Sequence, residues 1–233
     1  MSGRIVVVNP NSTEAVTRGI DEAVTPLRFA DGPAIDCLTL AEGPPGIETQ
    51  VHVDGVVGPL CQLIRREDNQ ADAFVIACFS DPGLYSARET TRRPVFGISA
   101  AAMTVALNLG ERFGIIAILP TSVSRHRRYI HQLGLQHRFA GELPLGLGVT
   151  ELDGDPDAVA GRMCETGARL AGEHGADVLI LGCAGMARYR AGMEERLGLP
   201  VVEPSQAAVA QAVAAVRFGW RTPATPERMS GTG

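Results

Sequence analysis

The sequence predicts an α/β protein of two pseudosymmetric lobes, each with a mostly parallel sheet flanked by helices and with the active site in the cleft between them. Two observations carry this reading. Short apolar runs such as Phe74–Ala77 are dense enough in β-formers to be buried strands, and a helix-start signal follows them. The second observation is a duplication. ADAFVIAC (71–78) recurs as ADVLILGC (176–183) at an offset of 105 residues, PVFGISAAA (94–102) as PVVEPSQAA (200–208) at 106, and IVVVNPNS (5–12) as IIAILPTS (115–122) at 110. Three strand-and-turn units in the same order are hard to obtain by chance, and the period is too long for a solenoid repeat. Each half reads strand, helix, strand, helix, strand. The first lobe is expected to comprise residues 1–97 with 207–233, and the second residues 98–206.

Taken in order, Arg4–Asn9 is a first strand and a helix follows Ser12. Glu42–Gly46, with two prolines between glycines, is an irregular loop. After the strand that ends near Ala77, Asp81-Pro82 reads as an N-cap with proline in the first helical turn. Alanine-rich periodic stretches predict helices over Ala100–Leu109, Pro156–Gly172 and Ser205–Val216, suited to packing on a sheet. The tail after Gly219, with Pro223 and Pro226, is irregular. Arg125–Arg128 (RHRR) is the densest basic run and reads as a solvated helix face.

Composition removes several functions. Hydrophobic content of 45% with 20% charged residues is ordinary for a globular chain, while a net charge of −5 and a pI near 5.6 argue against nucleic acid or a membrane as partner. All 21 basic residues are arginine, so no lysine can form a Schiff base or complete a phosphate-binding loop of the Walker type. No GxGxxG follows a strand. Five cysteines without CxxC pairs fit reduced thiols in the cytoplasm, and the first strand is too short for a secretory leader. The five histidines show no zinc-ligand spacing with the cysteines. The expected partner is a small-molecule substrate, with no cofactor and no metal, and the chain is expected to form a homo-oligomer.

Cys78 alone would pass for a small buried hydrophobe. Its pairing with Cys183 changes that reading, because two facing lobes would each bring one strand-end thiol to a shared cleft. Cys37, Cys61 and Cys164 have no counterparts and are assigned to core or surface. Two acid–base groups on opposite faces suit inversion of a carbon acid: one thiolate removes the proton and the opposing thiol returns one. The reference thiol pKa of about 8.5 lies near enough to neutrality for both roles after a modest shift. The enolate could be held by backbone N–H groups beside each cysteine, at Phe79 and Ser80 and at Ala184 and Gly185. Asn11 and Ser12, with Thr121 and Ser122, form matched turns after strands, read either as helix caps or as ligand contacts.

VVNPNST at the first turn, ACFSDPGL around Cys78 and LGCAGMA around Cys183 resemble the Asp/Glu racemase superfamily, and within it the hydantoin and allantoin racemase branch. The resemblance runs from Arg4 to about Val216. It implies a cofactor-independent racemase with a catalytic cysteine in each of two domains and a five-membered hydantoin-type ring as substrate. It also implies a substrate loop around Ile47, where Pro44–Glu48 matches only loosely. The chain departs from the branch at Gly97–Ala100, where many relatives carry an acidic residue, and at Val202–Gln206. Rival readings on the same scaffold are an amino-acid racemase, a maleate isomerase-like enzyme and a malonate decarboxylase-like enzyme. A non-catalytic small-molecule binder is a rival of another class, disfavoured because binding alone needs no thiol on each face.

Overall fold

Residues 3–148 and 150–223 are described by the computed structural model; Pro226 of the expected irregular tail lies outside them. The first half runs β1 (Arg4–Asn9), α1 (Glu14–Ala23), β2 (Ala34–Thr39), α2 (Gln50–Gly55), α3 (Val57–Glu67), β3 (Ala73–Ile76), α4 (Leu84–Thr90), β4 (Val95–Gly97) and α5 (Ile98–Leu109). The second runs β5 (Phe113–Ala117), α6 (Pro120–Gln132), β6 (Phe139–Pro144), α7 (Pro156–His174), β7 (Val178–Leu181), α8 (Arg190–Leu197), β8 (Val201–Val202) and α9 (Pro204–Phe218). These strands make two four-stranded sheets, ordered β2-β1-β3-β4 and β6-β5-β7-β8, with every pairing parallel. The duplication therefore extends to topology. Among the described residues each half has four strands rather than the three expected. Among the described residues no helix is long and apolar enough to cross a membrane.

Alternation along the central strands builds the layers. Ile5 and Val7 of β1, Ala73 and Val75 of β3, Phe113 and Ile115 of β5, and Val178 and Ile180 of β7 all enter one central core shared by the two sheets. Their neighbours Val6, Val8, Phe74 and Ile76 face an outer core with α3 and α4, and Ile116, Leu179 and Leu181 face another with α7. Strands buried on both faces read as continuous apolar runs, which is why these four were legible. The helices of the central layer cross over. α5 follows β4 of the first sheet but packs against β7, while α9 follows β8 of the second sheet but packs against β1, β3 and β4. α5 and α9 lie against each other along their alanine-rich faces.

Asp81 does not cap the helix that follows it. α4 starts at Leu84 behind Gly83, whose φ of 64° needs no side chain in the way. Asp81 itself sits at φ 43°, and its carboxylate accepts the N–H groups of Ser99 and Ala100, both at 2.9 Å, so it caps α5 instead. In the second half the equivalent helix α9 is capped by Glu203, which accepts from Ser205 at 3.0 Å and Gln206 at 2.6 Å. Gly97 stands where Glu203 does, and a Cβ there would lie 2.2 Å from Asp81 Cγ. The acidic group absent from Gly97–Ala100 is thus supplied from the turn after Cys78.

This exchange is testable. Asp81→Gly should cost about 1–3 kcal/mol, since it strands two N–H groups, one of them fully buried. Gly97→Glu alone should also destabilise, by crowding Asp81. The double variant rebuilds the arrangement of the second half and should recover most of the loss in chemical denaturation. Additive losses in the double variant would show that the two carboxylates do not share one role.

Candidate active site

The bends after β3 and β7 carry Cys78 and Cys183 to the carboxyl edges of the two sheets, where ligands of open α/β sheets bind. Both line one cavity of about 30 Å³, together with Asn11, Ile47, Phe79, Ser80, Ser122 and Ala184. Each sulfur is approached by the backbone N–H two residues on, Ser80 for Cys78 and Gly185 for Cys183. The two bends match further: Asp81 N–H donates to the Cys78 carbonyl at 2.9 Å and Met186 N–H to the Cys183 carbonyl at 3.1 Å.

Burial pushes the Cys78 thiol up to about 11, against the lowering influence of the Ser80 N–H and the Arg125 charge. It pushes Cys183 up to about 12, and there Cys78, Glu203 and Glu48 add to the rise. Both values lie well above the near-neutral ones expected from sequence, because burial penalises the charged thiolate. Behind the thiols, burial likewise raises Asp81 to about 6 and Glu203 to about 7, although each accepts backbone N–H groups.

The loop before α2 forms a wall of the cavity. Its Gly43 packs so closely that a Cβ would lie 2.2 Å from the Pro10 carbonyl oxygen, and Ser12 N–H donates to the Pro44 carbonyl at 3.0 Å. This docking turns Ile47 inward, 6% exposed. The Ser12 N–H is therefore taken by the loop, and Ser12 stands outside the cavity lining. Thr121 is exposed and donates to the Glu48 carbonyl at 3.2 Å, tying α6 to the same loop. Gly185 borders a neighbouring cleft of about 360 Å³ between α1 and the short helix Ala184–Tyr189, which shares Val16 and Ala184 with the thiol cavity. Asn11 uses its Oδ1 to accept from Asn9 Nδ2 and Thr13 N–H, both at 2.9 Å.

Half of the basic run is inside the site. Arg127 and Arg128 are exposed, as expected of a solvated face, but Arg125 and His126 are 8% and 3% exposed and line the cavity. Arg125 Nε donates to Ser80 Oγ at 2.9 Å and Nη2 to Ser122 Oγ at 3.4 Å, so one guanidinium bridges the two halves. Tyr129 adds a second bridge, its hydroxyl donating to Asp81 at 3.1 Å. His126 Nδ1 lies 2.6 Å from Glu142 Oε1, and its ring meets Phe79 edge-on with centroids 5.1 Å apart. The available signal was helical spacing: Ser122, Arg125 and Tyr129 share one face of α6.

The family model described as Asp/Glu/Hydantoin racemase matches residues 5–212. The chain belongs to this family. It is 33% identical to a hydantoin racemase of Pseudomonas sp. (strain NS671) over 94% of this chain and 88% of that protein. Among solved structures, an allantoin racemase from Klebsiella pneumoniae superposes with a TM-score of 0.90 at 33% identity, covering 95% of this chain and 91% of that one. Allantoin racemase from Pseudomonas fluorescens gives 0.91 at 28% identity, covering 99% and 97%. These relatives are isomerases, and they support a racemase of the Asp/Glu/hydantoin racemase family.

Proposed function

We propose that this racemase inverts the carbon next to a carbonyl in a hydantoin-type ring, a 5-substituted hydantoin or allantoin, by two-thiol chemistry without a cofactor. The observation that carries the reading is the matched pair of thiols, one from each pseudosymmetric half, on a single cavity. As a thiolate, one cysteine takes the ring proton: the C–H bond breaks, an S–H bond forms, and the electron pair moves onto the carbonyl oxygen as an enolate. The opposing thiol then gives its proton to the other face of the carbon, ending as the thiolate. Nothing else is consumed. Two thiols on one small cavity do not readily ionise together, so the working form is one thiolate facing one thiol.

Enolate charge can be met by the Arg125 guanidinium and by the N–H groups of the two bends, fixed before the reaction begins. At about 30 Å³ the thiol cavity holds little more than water, whereas ligand pockets run to roughly 300 Å³ and above. Displacement of Val16 and Ala184 would join it to the neighbouring cleft of about 360 Å³. The mostly apolar lining favours a neutral ring over a zwitterionic amino acid, whose ammonium group would need a carboxylate partner there.

The test is polarimetry on a panel of hydantoins, allantoin, aspartate and glutamate after exhaustive dialysis against a chelator. The expected result is loss of optical rotation for the ring substrates at an undiminished rate. Loss of activity on dialysis, restored by a metal, would overturn the cofactor-free reading. Turnover of the amino acids alone would overturn the substrate class.

A further inference from the structure

We propose that Arg125 decides which thiol takes the first negative charge of the site, placing it on Cys78 rather than on Cys183. This rests on the two-thiol reading above. α6 carries the guanidinium into the cavity wall, where it is fixed by two serine hydroxyls, one from the bend of Cys78 and one from its own helix. At 8% exposure it makes no ion pair with a carboxylate among the described residues. Buried cations are ordinarily paired, so an unpaired one marks where negative charge arrives.

The surroundings of the two sulfurs differ in the same sense. Cys78 faces Arg125 and Asp81, and the Asp81 carboxylate is already engaged by the Ser99 and Ala100 N–H groups and by Tyr129. Cys183 faces Glu48 and Glu203, whose carboxylate is engaged in the same way by the Ser205 and Gln206 N–H groups, while the repulsion between the two sulfurs is mutual and favours neither. Around Arg125 itself stand Arg128 and Glu142, the latter bound to His126. The pseudosymmetry of the backbone is thus broken by charge. A ring whose proton faces Cys78 meets the thiolate directly, while its mirror image must wait for the pair to exchange its proton.

Thiolate sulfur displaces iodide from iodoacetamide, so the alkylation rate of each cysteine against pH, read by peptide mass mapping, reports where each ionises. Poor access lowers a rate at every pH without moving its midpoint. In the wild-type protein the Cys78 midpoint should lie below that of Cys183. In Arg125→Gln it should rise by about one pH unit, a tenfold loss of rate at fixed pH, with Cys183 unmoved or lowered. Arg125→Lys keeps the charge and should keep the wild-type order. A Cys183 midpoint at or below that of Cys78 in the wild type overturns the proposal, and so does an unmoved Cys78 midpoint in Arg125→Gln. Should Arg125→Gln fail to fold, the wild-type and Arg125→Lys orders decide. Failure of the functional reading is seen elsewhere, as racemisation that survives Cys183→Ser.

Discussion

Cys78→Ser and Cys183→Ser should each racemise at least 10³-fold more slowly than the parent, on the order expected for loss of an acid–base group. Serine keeps the shape of the side chain, but its hydroxyl is far too weak an acid to stand in for a thiol. Each variant should still exchange the ring proton of one enantiomer with deuterated solvent, because the surviving thiolate can remove and return a proton on its own face. The two variants should therefore prefer opposite enantiomers in exchange, followed by NMR. Equal preferences, or racemisation near the parent rate in either variant, would assign one cysteine to structure alone. Exchange has the further merit of being independent of which ring substituent the enzyme favours, provided a substrate binds.

His126→Leu should lower stability by about 3–5 kcal/mol, the cost of breaking a buried pair from one side. Glu142 is 8% exposed, its Oε2 has no hydrogen-bond partner, and its Oε1 lies 2.6 Å from His126 Nδ1. Removing the imidazole leaves the carboxyl in an apolar interior and takes away the edge-on support of Phe79 beside Cys78. At roughly 2–4 °C per kcal/mol for a chain of this size, the melting temperature should fall by about 10 °C. The double variant with Glu142→Leu should regain most of that loss, since an apolar pair fills the space without stranding a polar group. A fall of under about 1 kcal/mol in His126→Leu would mean that water reaches Glu142.

The central strands and both cysteine bends could be read from the chain because burial on two faces leaves an apolar run that needs no alternation to be recognised. β2 and β6 escaped because they are sheet edges: Ala34–Thr39 and Phe139–Pro144 mix polar with apolar side chains and are mostly half-exposed. β8, only two residues long, was visible through its repeat partner alone. The thiols were found by duplication, but the groups around them break it. Arg125 and His126 lie in a run that composition assigns to solvent, and Glu142 sits on an edge strand sixteen positions further on. Asp81 was recognised as a capping residue, yet its helix begins seventeen positions later rather than directly behind it. Local chemistry predicted what each residue can do, and long-range packing chose the partner.

The crossing of α5 and α9 reverses the order of manufacture and assembly. A chain leaving the ribosome completes the first sheet at Gly97, but the helix that covers Ile5, Val7 and Val75 on its inner face is made only after the whole second sheet. Until residue 218 has emerged, that apolar face has no permanent cover, and early collapse onto another nascent chain is the hazard. Premature termination before Pro204 should therefore yield aggregate rather than a working half, and the two lobes are maintained or lost together.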